Sequence, residues 1–209
     1  MHEMSKKISI LNLTSGNVGS VKRMIEKVGG DPTLIETLSD LKKANKIVLP
    51  GVGRFDNAMN IIKEKGFKET LISKLKDDNV ISLGICLGMQ LLCNYSEEGN
   101  VEGLGLINAT VKKIDSEKGK YKIPHIGWNT IDILKKNKII EGSSEEIRFY
   151  FVHSYCVHPN EKNLMIASTK YGRSFCSAFR KKNIYGVQFH PEKSHKFGMN
   201  LIRNFVNLK

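Results

Sequence analysis

The chain has few of the features that mark several large classes of protein. Its 209 residues include only four cysteines, and its five prolines form no linker-like cluster that would divide the chain. The cysteines, at positions 86, 93, 156 and 176, form no CxxC pair, so neither a disulfide framework nor a zinc site is expected. No apolar run reaches the roughly 18 residues that a membrane-spanning helix needs, and the polar segment 1–7 does not begin a signal peptide. We therefore expect a soluble cytoplasmic protein with reduced thiols.

Acidic residues are also scarce relative to basic ones. The chain has 33 lysines and arginines against 21 acidic residues, which gives a formal net charge of +12. Most of the basic residues are lysines, which lack the planar fork that suits phosphates and bases. We interpret the charge mainly as a solvated basic surface, with an acidic partner or substrate as the alternative. Binding to nucleic acid or to a membrane is not expected.

Hydrophobic patterning predicts a single α/β domain over residues 1–209. In the first half, apolar strands over residues 8–13, 34–38, 46–49 and 80–85 alternate with amphipathic helices. A turn is expected at 15–17, followed by a helix that Ser20 caps. Further helices are expected after Asp56, over 68–76 and over 87–95. The helix over 87–95 contains Cys93. This alternation is typical of a mostly parallel central sheet with helices on both faces. In the second half, strands over 109–114, 148–153, 164–169, 175–180 and 184–189 predict a smaller antiparallel sheet, and a helix from about residue 196 closes the chain.

The segment 80–88 contains the most informative motif. An apolar strand runs into Gly84-Ile85-Cys86-Leu87-Gly88 and then into a helix, which is the arrangement of a nucleophile elbow with sulfur in place of oxygen. The glycines two residues either side of Cys86 let the backbone turn sharply without Cβ clashes. The start of the following helix favours a thiolate. A small buried cysteine of the core is the alternative interpretation.

A nucleophilic cysteine needs a base, and His190 is the best candidate. It ends the predicted strand 184–189, which brings it to an edge of the sheet. Glu192, two residues further on, is near enough to orient the imidazole ring and to stabilise its charged form. A loop histidine bonded to backbone is the alternative interpretation, and the other five histidines carry weaker signals.

Acyl transfer to a thiolate also needs backbone donors for the developing oxyanion. Leu87, directly after Cys86, supplies an N–H at the start of a helix. The segment Pro50-Gly51-Val52-Gly53 follows another predicted strand, and its glycines let the backbone approach a ligand. A tight turn at the end of a strand explains this segment equally well.

Five motifs along the chain, LPGVG, GICLGMQLL, PHIGWN, YFVHSY and GVQFHPEKS, resemble those of class I, triad-type glutamine amidotransferases. Within that family, the chain is similar over almost its whole length to the glutaminase subunits of imidazole glycerol phosphate synthase. The resemblance implies a doubly wound α/β domain that hydrolyses L-glutamine to glutamate and ammonia. It also implies a heterodimer with a (β/α)8-barrel cyclase subunit, which uses the ammonia to form imidazole glycerol phosphate in histidine biosynthesis.

The resemblance assigns roles to individual residues and implies no cofactor or metal. It implies a catalytic triad of Cys86, His190 and Glu192, and an oxyanion hole made by the amides of Gly53 and Leu87. The positions that match those holding the glutamine substrate are Gln90, Glu98, Ser154 and Tyr155. The positions that match those facing the partner subunit are Trp128, Asn129 and Lys193. From the residues alone, a solvated loop carboxylate beside Glu97 is the better interpretation of Glu98. Trp128, in a loop-like segment, is either a core residue or an interface anchor.

Other functions remain open at this point. The segments GNVGSVKRM, FDNAM and HPEKSHKFGM resemble more closely a paralogous branch that supplies ammonia for amidination of a bacterial surface sugar. A stand-alone cysteine hydrolase would not need the IGWN and HPEKS segments. A non-catalytic module that has kept the fold would be expected to lose a member of the triad, and none is missing.

Overall fold

The computed structural model describes residues 6–13, 17–141 and 146–209. In these ranges the β-strands are β1 Lys7–Leu11, β2 Asp31–Ile35, β3 Lys46–Leu49, β4 Ile81–Ile85, β5 Cys93–Ser96, β6 Val101–Glu102, β7 Ile107–Lys113, β8 His125–Thr130, β9 Asp132–Ile133, β10 Arg148–His153, β11 Tyr155–Pro159, β12 Met165–Tyr171, β13 Arg173–Lys181 and β14 Ile184–Val187. The α-helices are α1 Val18–Lys27, α2 Leu38–Lys43, α3 Phe55–Glu64, α4 Lys68–Lys76, α5 Leu87–Leu91 and α6 His195–Val206. Two short 3₁₀ helices cover Lys162–Leu164 and Pro191–Lys193.

A parallel sheet forms the centre of the molecule. Its strands lie in the order β2-β1-β3-β4-β14, and each neighbouring pair is parallel. The inner strands β3, β4 and β14 are short and almost fully buried because both faces of the sheet are covered by helices, whereas the edge strand β2 is only partly buried. Alternate residues of β3 enter different cores: Ile47 and Leu49 pack with α2, α3 and α4, whereas Val48 packs with α1 and α6. This arrangement confirms the predicted α/β fold with helices on both faces.

Beyond β14 the same sheet continues with strands that pair antiparallel, except for the parallel pair β5 and β7. β14 pairs with β13, and the sheet extends through β11 and β7 to β5 and β6, while β12 and β9 branch from β13. A separate two-stranded antiparallel sheet consists of β8 and β10. The carboxyl ends of β3, β4 and β14 meet at one edge of the parallel sheet, and this edge carries the candidate site.

Several predicted boundaries were wrong. Ser20 does not cap a helix, because α1 already begins at Val18 and Ser20 lies within its first turn. Residues 15 and 16 of the predicted turn lie outside the described residues. The second strand ends at Ile35, because Thr37 and Asp40 form a capping box that starts α2, a helix that the sequence analysis did not predict.

The predicted helix over 87–95 is half as long as expected. α5 ends at Leu91, and Cys93, expected on the helix, is the buried first residue of β5, which pairs with β6 and β7. The segment around Trp128, expected as a loop, is the strand β8. None of the helices within the described ranges is both long and apolar enough to cross a membrane.

Candidate active site

Cys86 occupies a sharp turn between the end of β4 and the start of α5. Its backbone has φ 51° and ψ −107°, a strained conformation for a residue other than glycine, and its N–H donates to the Val187 carbonyl of β14 at 2.8 Å. A Cβ at Gly88 would lie 1.7 Å from the Leu49 carbonyl oxygen, and one at Gly84 would lie 2.7 Å from the backbone of Gly88. The two glycines therefore permit the close approach that the predicted elbow requires.

His190 follows β14 at the same edge of the sheet. Its ring is fully buried, and its Nδ1 lies 2.6 Å from Glu192 Oε1. The backbone holds the histidine in place, because the His190 N–H donates to the Tyr150 carbonyl and the Ser194 hydroxyl donates to the His190 carbonyl at 2.6 Å. His190 Nε2 has no partner with hydrogen-bond geometry among the described residues, which leaves this nitrogen free to exchange a proton.

The electrostatics of this cluster favour an imidazolium. Burial opposes the charge on His190, but the nearby Cys86 sulfur and the Glu192 carboxylate more than compensate and raise its pKa to about 10. Burial likewise opposes the charge on Glu192, yet the bonds from His190 and Asn17 hold the pKa of this carboxyl below its usual value. Cys86, His190 and Glu192 thus lie in the order that a nucleophile, a base and a group that orients the base require.

A cavity of about 400 Å³ opens beside Cys86 and brings together nine of the twelve predicted site residues. Besides Cys86 they are Gly53, Leu87, Gln90, Glu98, Ser154, Tyr155, His190 and Lys193. Glu192 lies behind His190 and does not line the cavity.

Two backbone amides border the cavity without an acceptor. The turn at 50–53 packs against Leu87, since a Cβ at Gly51 would lie 2.8 Å from Leu87 Cβ. Gly53 has φ +108°, which favours glycine at this position. The N–H groups of Gly53 and Leu87 have no hydrogen-bond acceptor within the described part of the chain. They are therefore available to a ligand.

Gln90 and Glu98, which both border the cavity, are each held by a hydrogen bond to the backbone. Gln90 Nε2 donates to the Tyr155 carbonyl at 2.9 Å and to Gln188 Oε1 at 3.2 Å. Glu98 Oε2 accepts from the Phe55 N–H at 2.9 Å, at the start of α3, so Glu98 is more than a solvated loop carboxylate.

The three residues predicted to face a partner lie in different surroundings. Trp128 is 44% exposed and stacks on His195 with ring centroids 5.5 Å apart. Asn129, the next residue of β8, turns to the opposite side of the strand and bonds His125. Lys193 borders the cavity, and its Nζ lies 5.6 Å from the centre of the Tyr150 ring.

Three residues that bond members of the predicted triad were not predicted from the sequence. Asn17 Nδ2 donates to Glu192 Oε1 at 2.6 Å, although 175 positions separate the two residues. Gln188 Nε2 lies 3.6 Å from the Cys86 sulfur, and Ser194 joins the backbones of His190 and Tyr150. Gln188 and Ser194 flank the histidine motif, and this proximity was the only available signal. Nothing near Asn17 in the sequence points to Glu192.

Comparison with known proteins gives the class to which this fold and site correspond. The family model described as glutamine amidotransferase class-I matches residues 10–208, and the chain belongs to this family. The chain is 49% identical to imidazole glycerol phosphate synthase subunit HisH 2 of Methanococcus maripaludis, over 95% of this chain and 98% of that protein. It is 41% identical to subunit HisH of Pelagibacter ubique, over 96% and 99% of the two chains, and 38% identical to subunit HisH 2 of Pseudomonas aeruginosa, over 96% and 99%.

Solved structures of lower identity share the fold. A putative GMP synthase protein of Thermoplasma acidophilum superposes with a TM-score of 0.72 at 22% identity, covering 99% of this chain and 94% of that one. PurLQS of Thermotoga maritima gives a TM-score of 0.74 at 15% identity, with 98% and 99% covered. These similarities confirm the predicted architecture.

Proposed function

We propose that the chain is the glutaminase subunit of an imidazole glycerol phosphate synthase, in which it hydrolyses L-glutamine and passes ammonia to a cyclase subunit. The observation that carries the proposal is the geometry around Cys86: a strained elbow cysteine beside a buried His190–Glu192 pair, with nine predicted site residues around one cavity. The names of the relatives described above support the same pathway.

In the proposed reaction, the Cys86 thiolate attacks the carboxamide carbon of glutamine. The amides of Leu87 and Gly53 stabilise the negative charge that develops on the carboxamide oxygen. Protonated His190 donates from Nε2 to the leaving nitrogen, the C–N bond breaks, and ammonia departs as a γ-glutamyl thioester forms on Cys86. Before the substrate binds, Glu192 accepts a hydrogen bond from Nδ1–H of His190 and stabilises the charged ring.

The second half of the cycle returns the enzyme to its starting state. His190, now neutral, takes a proton from water as the water attacks the thioester carbon. The bond to sulfur breaks, glutamate leaves, and Cys86 and His190 again form a thiolate–imidazolium pair. The elements of one water molecule are consumed, and no metal or cofactor is needed for either step.

The cavity supports glutamine as the substrate. Both hydrogens of the Gln90 amide are occupied by Tyr155 and Gln188, and among the described residues no donor reaches Gln90 Oε1, which is therefore free to accept from a ligand N–H. Glu98 supplies a carboxylate for the α-amino group. Lys193 at the same cavity supplies a positive charge within reach of the α-carboxylate or of the partner.

The partner is proposed to be a (β/α)8-barrel cyclase that docks on the face presented by β8. Ile126 is 59% exposed and Trp128 is 44% exposed, and the two side chains share one face of that strand because their positions differ by two. An aromatic residue and a β-branched residue left exposed side by side form an apolar patch that suits an interface. The net charge of +12 favours a partner face that carries carboxylates.

The proposal is tested by covalent labelling with a glutamine-analogue affinity label, followed by peptide mapping. We expect the label on Cys86, protection by excess L-glutamine, and no glutamine hydrolysis by Cys86→Ala in the presence of the partner. Cys176→Ala, which removes another buried thiol, is the matched control and should be labelled normally. Normal turnover by Cys86→Ala would contradict the mechanism.

The acceptor of the ammonia needs a separate experiment. Complementation of a histidine auxotroph that lacks its glutaminase subunit is expected to restore growth on ammonia-poor medium when the cognate cyclase is supplied. Failure to complement, with intact glutaminase activity in vitro, would favour the paralogous branch that amidinates a surface sugar.

A further inference from the structure

Two buried histidines outside the triad connect the exposed strand β8 with the wall of the cavity. His125 of β8 and His153 of β10 are directly opposite each other in the two-stranded sheet, and His125 Nδ1 lies 3.1 Å from His153 Nε2. On one side, Asn129 Nδ2 lies 3.3 Å from His125 Nε2. On the other side, His153 Nδ1 lies 2.9 Å from the Tyr155 carbonyl oxygen. An unbroken line of hydrogen bonds therefore joins Asn129 to Tyr155.

The chemistry of the end groups fixes the direction of every bond in this line. A carbonyl oxygen only accepts, so His153 must carry its proton on Nδ1, and its Nε2 must accept. His125 must then donate from Nδ1, which leaves its own Nε2 to accept from Asn129. The Asn129 amide is fixed independently, because its Nδ2 also donates to the Lys170 carbonyl and its Oδ1 accepts from the Thr130 N–H.

This line of hydrogen bonds requires both imidazole rings to be neutral, and the surroundings of the two rings favour the neutral form. Burial lowers the pKa of His153 to about 3, against the opposing effect of its bond to the Tyr155 carbonyl, and burial lowers the pKa of His125 to about 4. The His125 ring is held between two aromatic rings, with centroids 4.9 Å from Phe151 and 4.0 Å from Tyr171. Packing therefore leaves the ring little freedom to turn away from its partners.

The line continues from Tyr155 to the nucleophile. The Tyr155 carbonyl accepts from both His153 and Gln90, and Gln90 in turn donates to Gln188 Oε1. Gln188 Nε2 then lies 3.6 Å from the Cys86 sulfur. Each of these side chains has one arrangement that satisfies its neighbours, so a shift at the histidine end is passed on to Gln90, which borders the cavity.

We propose that His125 and His153 are positioning residues that fix the Tyr155 carbonyl and the Gln90 amide at the wall of the glutamine pocket, and that they link this wall to the strand on which the partner docks. This inference rests on the proposed function, since it concerns the same pocket. It assigns the histidines no contact with the reacting atoms. Their effect is on the placement of the substrate.

The kinetic experiment compares His125→Phe with the wild type, both in complex with the partner subunit. Phenylalanine keeps the aromatic stack but removes both hydrogen bonds, so the fold should be retained while the KM for glutamine rises about five- to tenfold, with a smaller change in kcat. His153→Asn keeps a donor near the position of Nδ1 and should stay closer to the wild type than His153→Leu. His158→Phe, which changes a histidine outside the line, should leave KM unchanged.

A spectroscopic experiment separates this inference from the proposed function, because it needs no activity. Nitrogen-15 NMR of histidine-labelled protein is expected to show both His125 and His153 as neutral Nδ1–H tautomers at pH 7, and to show a changed Nε2 resonance of His153 in His125→Phe. An Nε2–H tautomer on either ring, or an unchanged KM in both His125→Phe and His153→Leu, would overturn the inference. If the wild-type complex does not hydrolyse glutamine, the proposed function fails, whereas the tautomers still decide whether the line of bonds exists.

Discussion

His190 and Glu192 make contributions of different size to the proposed reaction. His190 transfers the proton, and within the described residues no other group borders the same sulfur and can replace it. Glu192 accepts from Nδ1 and stabilises the imidazolium without touching the substrate. The effects of removing single side chains from such a triad are not additive. Removal of the base lowers kcat about two orders of magnitude more than removal of the group that orients the base.

We therefore predict that His190→Ala lowers glutamine turnover about a hundredfold more than Glu192→Gln. The measurement is steady-state kcat in the complex with the partner. A larger loss in Glu192→Gln than in His190→Ala would contradict the assigned roles.

Asn17 contributes to the same pair from a distant part of the chain. Its amide donates to a carboxylate whose other oxygen, Glu192 Oε2, is buried with no partner among the described residues. We predict that Asn17→Ala lowers the free energy of unfolding by about 1–3 kcal/mol, because a buried charge loses a donor. It should also lower kcat by weakening the hold on His190. Asn12→Ala, which removes an exposed bond to Glu36, is the control and should change neither quantity measurably.

The residues that could be predicted from the sequence are those in local motifs. Cys86 lies between two glycines, and Glu192 lies two residues from His190. In both motifs the residues that act together are therefore neighbours in the sequence. Asn17 could not be predicted, because its partner Glu192 lies 175 positions away in the chain. The pair of His125 and His153 could not be predicted either, because their contact depends on the register in which β8 and β10 pair.

At the scale of single elements, the elbow depends on the close approach of α5 to the end of β3. A methyl group at Gly88 would collide with the Leu49 backbone, which cannot move without disturbing the parallel sheet. We predict that Gly88→Ala lowers the free energy of unfolding by about 1–3 kcal/mol and abolishes activity. Gly19→Ala is the matched control. Gly19 lies in α1, and a Cβ there would be 3.6 Å from Nη1 of Arg23. The substitution should therefore leave the free energy of unfolding unchanged or raise it by about 0.5–1 kcal/mol. Equal effects of the two changes in urea unfolding would contradict this account.

The pair of strands β8 and β10 should be sensitive to acid. The folded-state pKa of His125 is lowered to about 4 and that of His153 to about 3. The contribution of these two histidines to stability is therefore fully present above pH 6.5 and falls as the pH drops from 6.5 towards these values, because the unfolded chain binds protons that the folded chain rejects. His190, whose folded-state pKa is raised to about 10, contributes with the opposite sign.

We predict that each of these histidines lowers the free energy of unfolding by about 2 kcal/mol at pH 5 relative to pH 8. The measurement is the urea midpoint at the two pH values for the wild type and for His125→Phe, in which one of the two groups is absent and all other titrating groups are shared. The same loss of stability in both proteins would show that His125 is not held neutral.

The bounds of helices and strands were predicted well where the hydrophobic pattern of the segment itself determines them. They were predicted poorly where pairing with a distant strand determines them. The strand 46–49 and the helix 68–76 have the predicted bounds, because the first is a short apolar run and the second has apolar residues at helical spacing. The segment 87–95 is mostly apolar, with polar side chains only at Gln90, Asn94 and the Tyr95 hydroxyl, so its pattern could not separate a helix from a strand. Pairing of Cys93–Ser96 with β7 ends the helix at Leu91.

At the scale of the whole molecule, the open question is how strongly the cavity depends on the partner. If the Gly53 amide turns to face the oxyanion only when the partner is bound, the isolated subunit lacks one donor. Loss of one such donor lowers the rate by about 10²–10³. A partner whose bound ligand favours the turned state would restore that factor through its different contacts with the two arrangements.

The measurement that tests this account most directly is glutamine hydrolysis by the chain alone, with the cyclase subunit, and with the cyclase subunit and its acceptor ligand. We predict low turnover by the isolated chain, higher turnover in the complex, and an increase of about 10²–10³ over the isolated chain when the ligand is present, all lost in Cys86→Ala. Equal rates under the three conditions would contradict a subunit that releases ammonia to a partner, and would identify the chain as a stand-alone hydrolase.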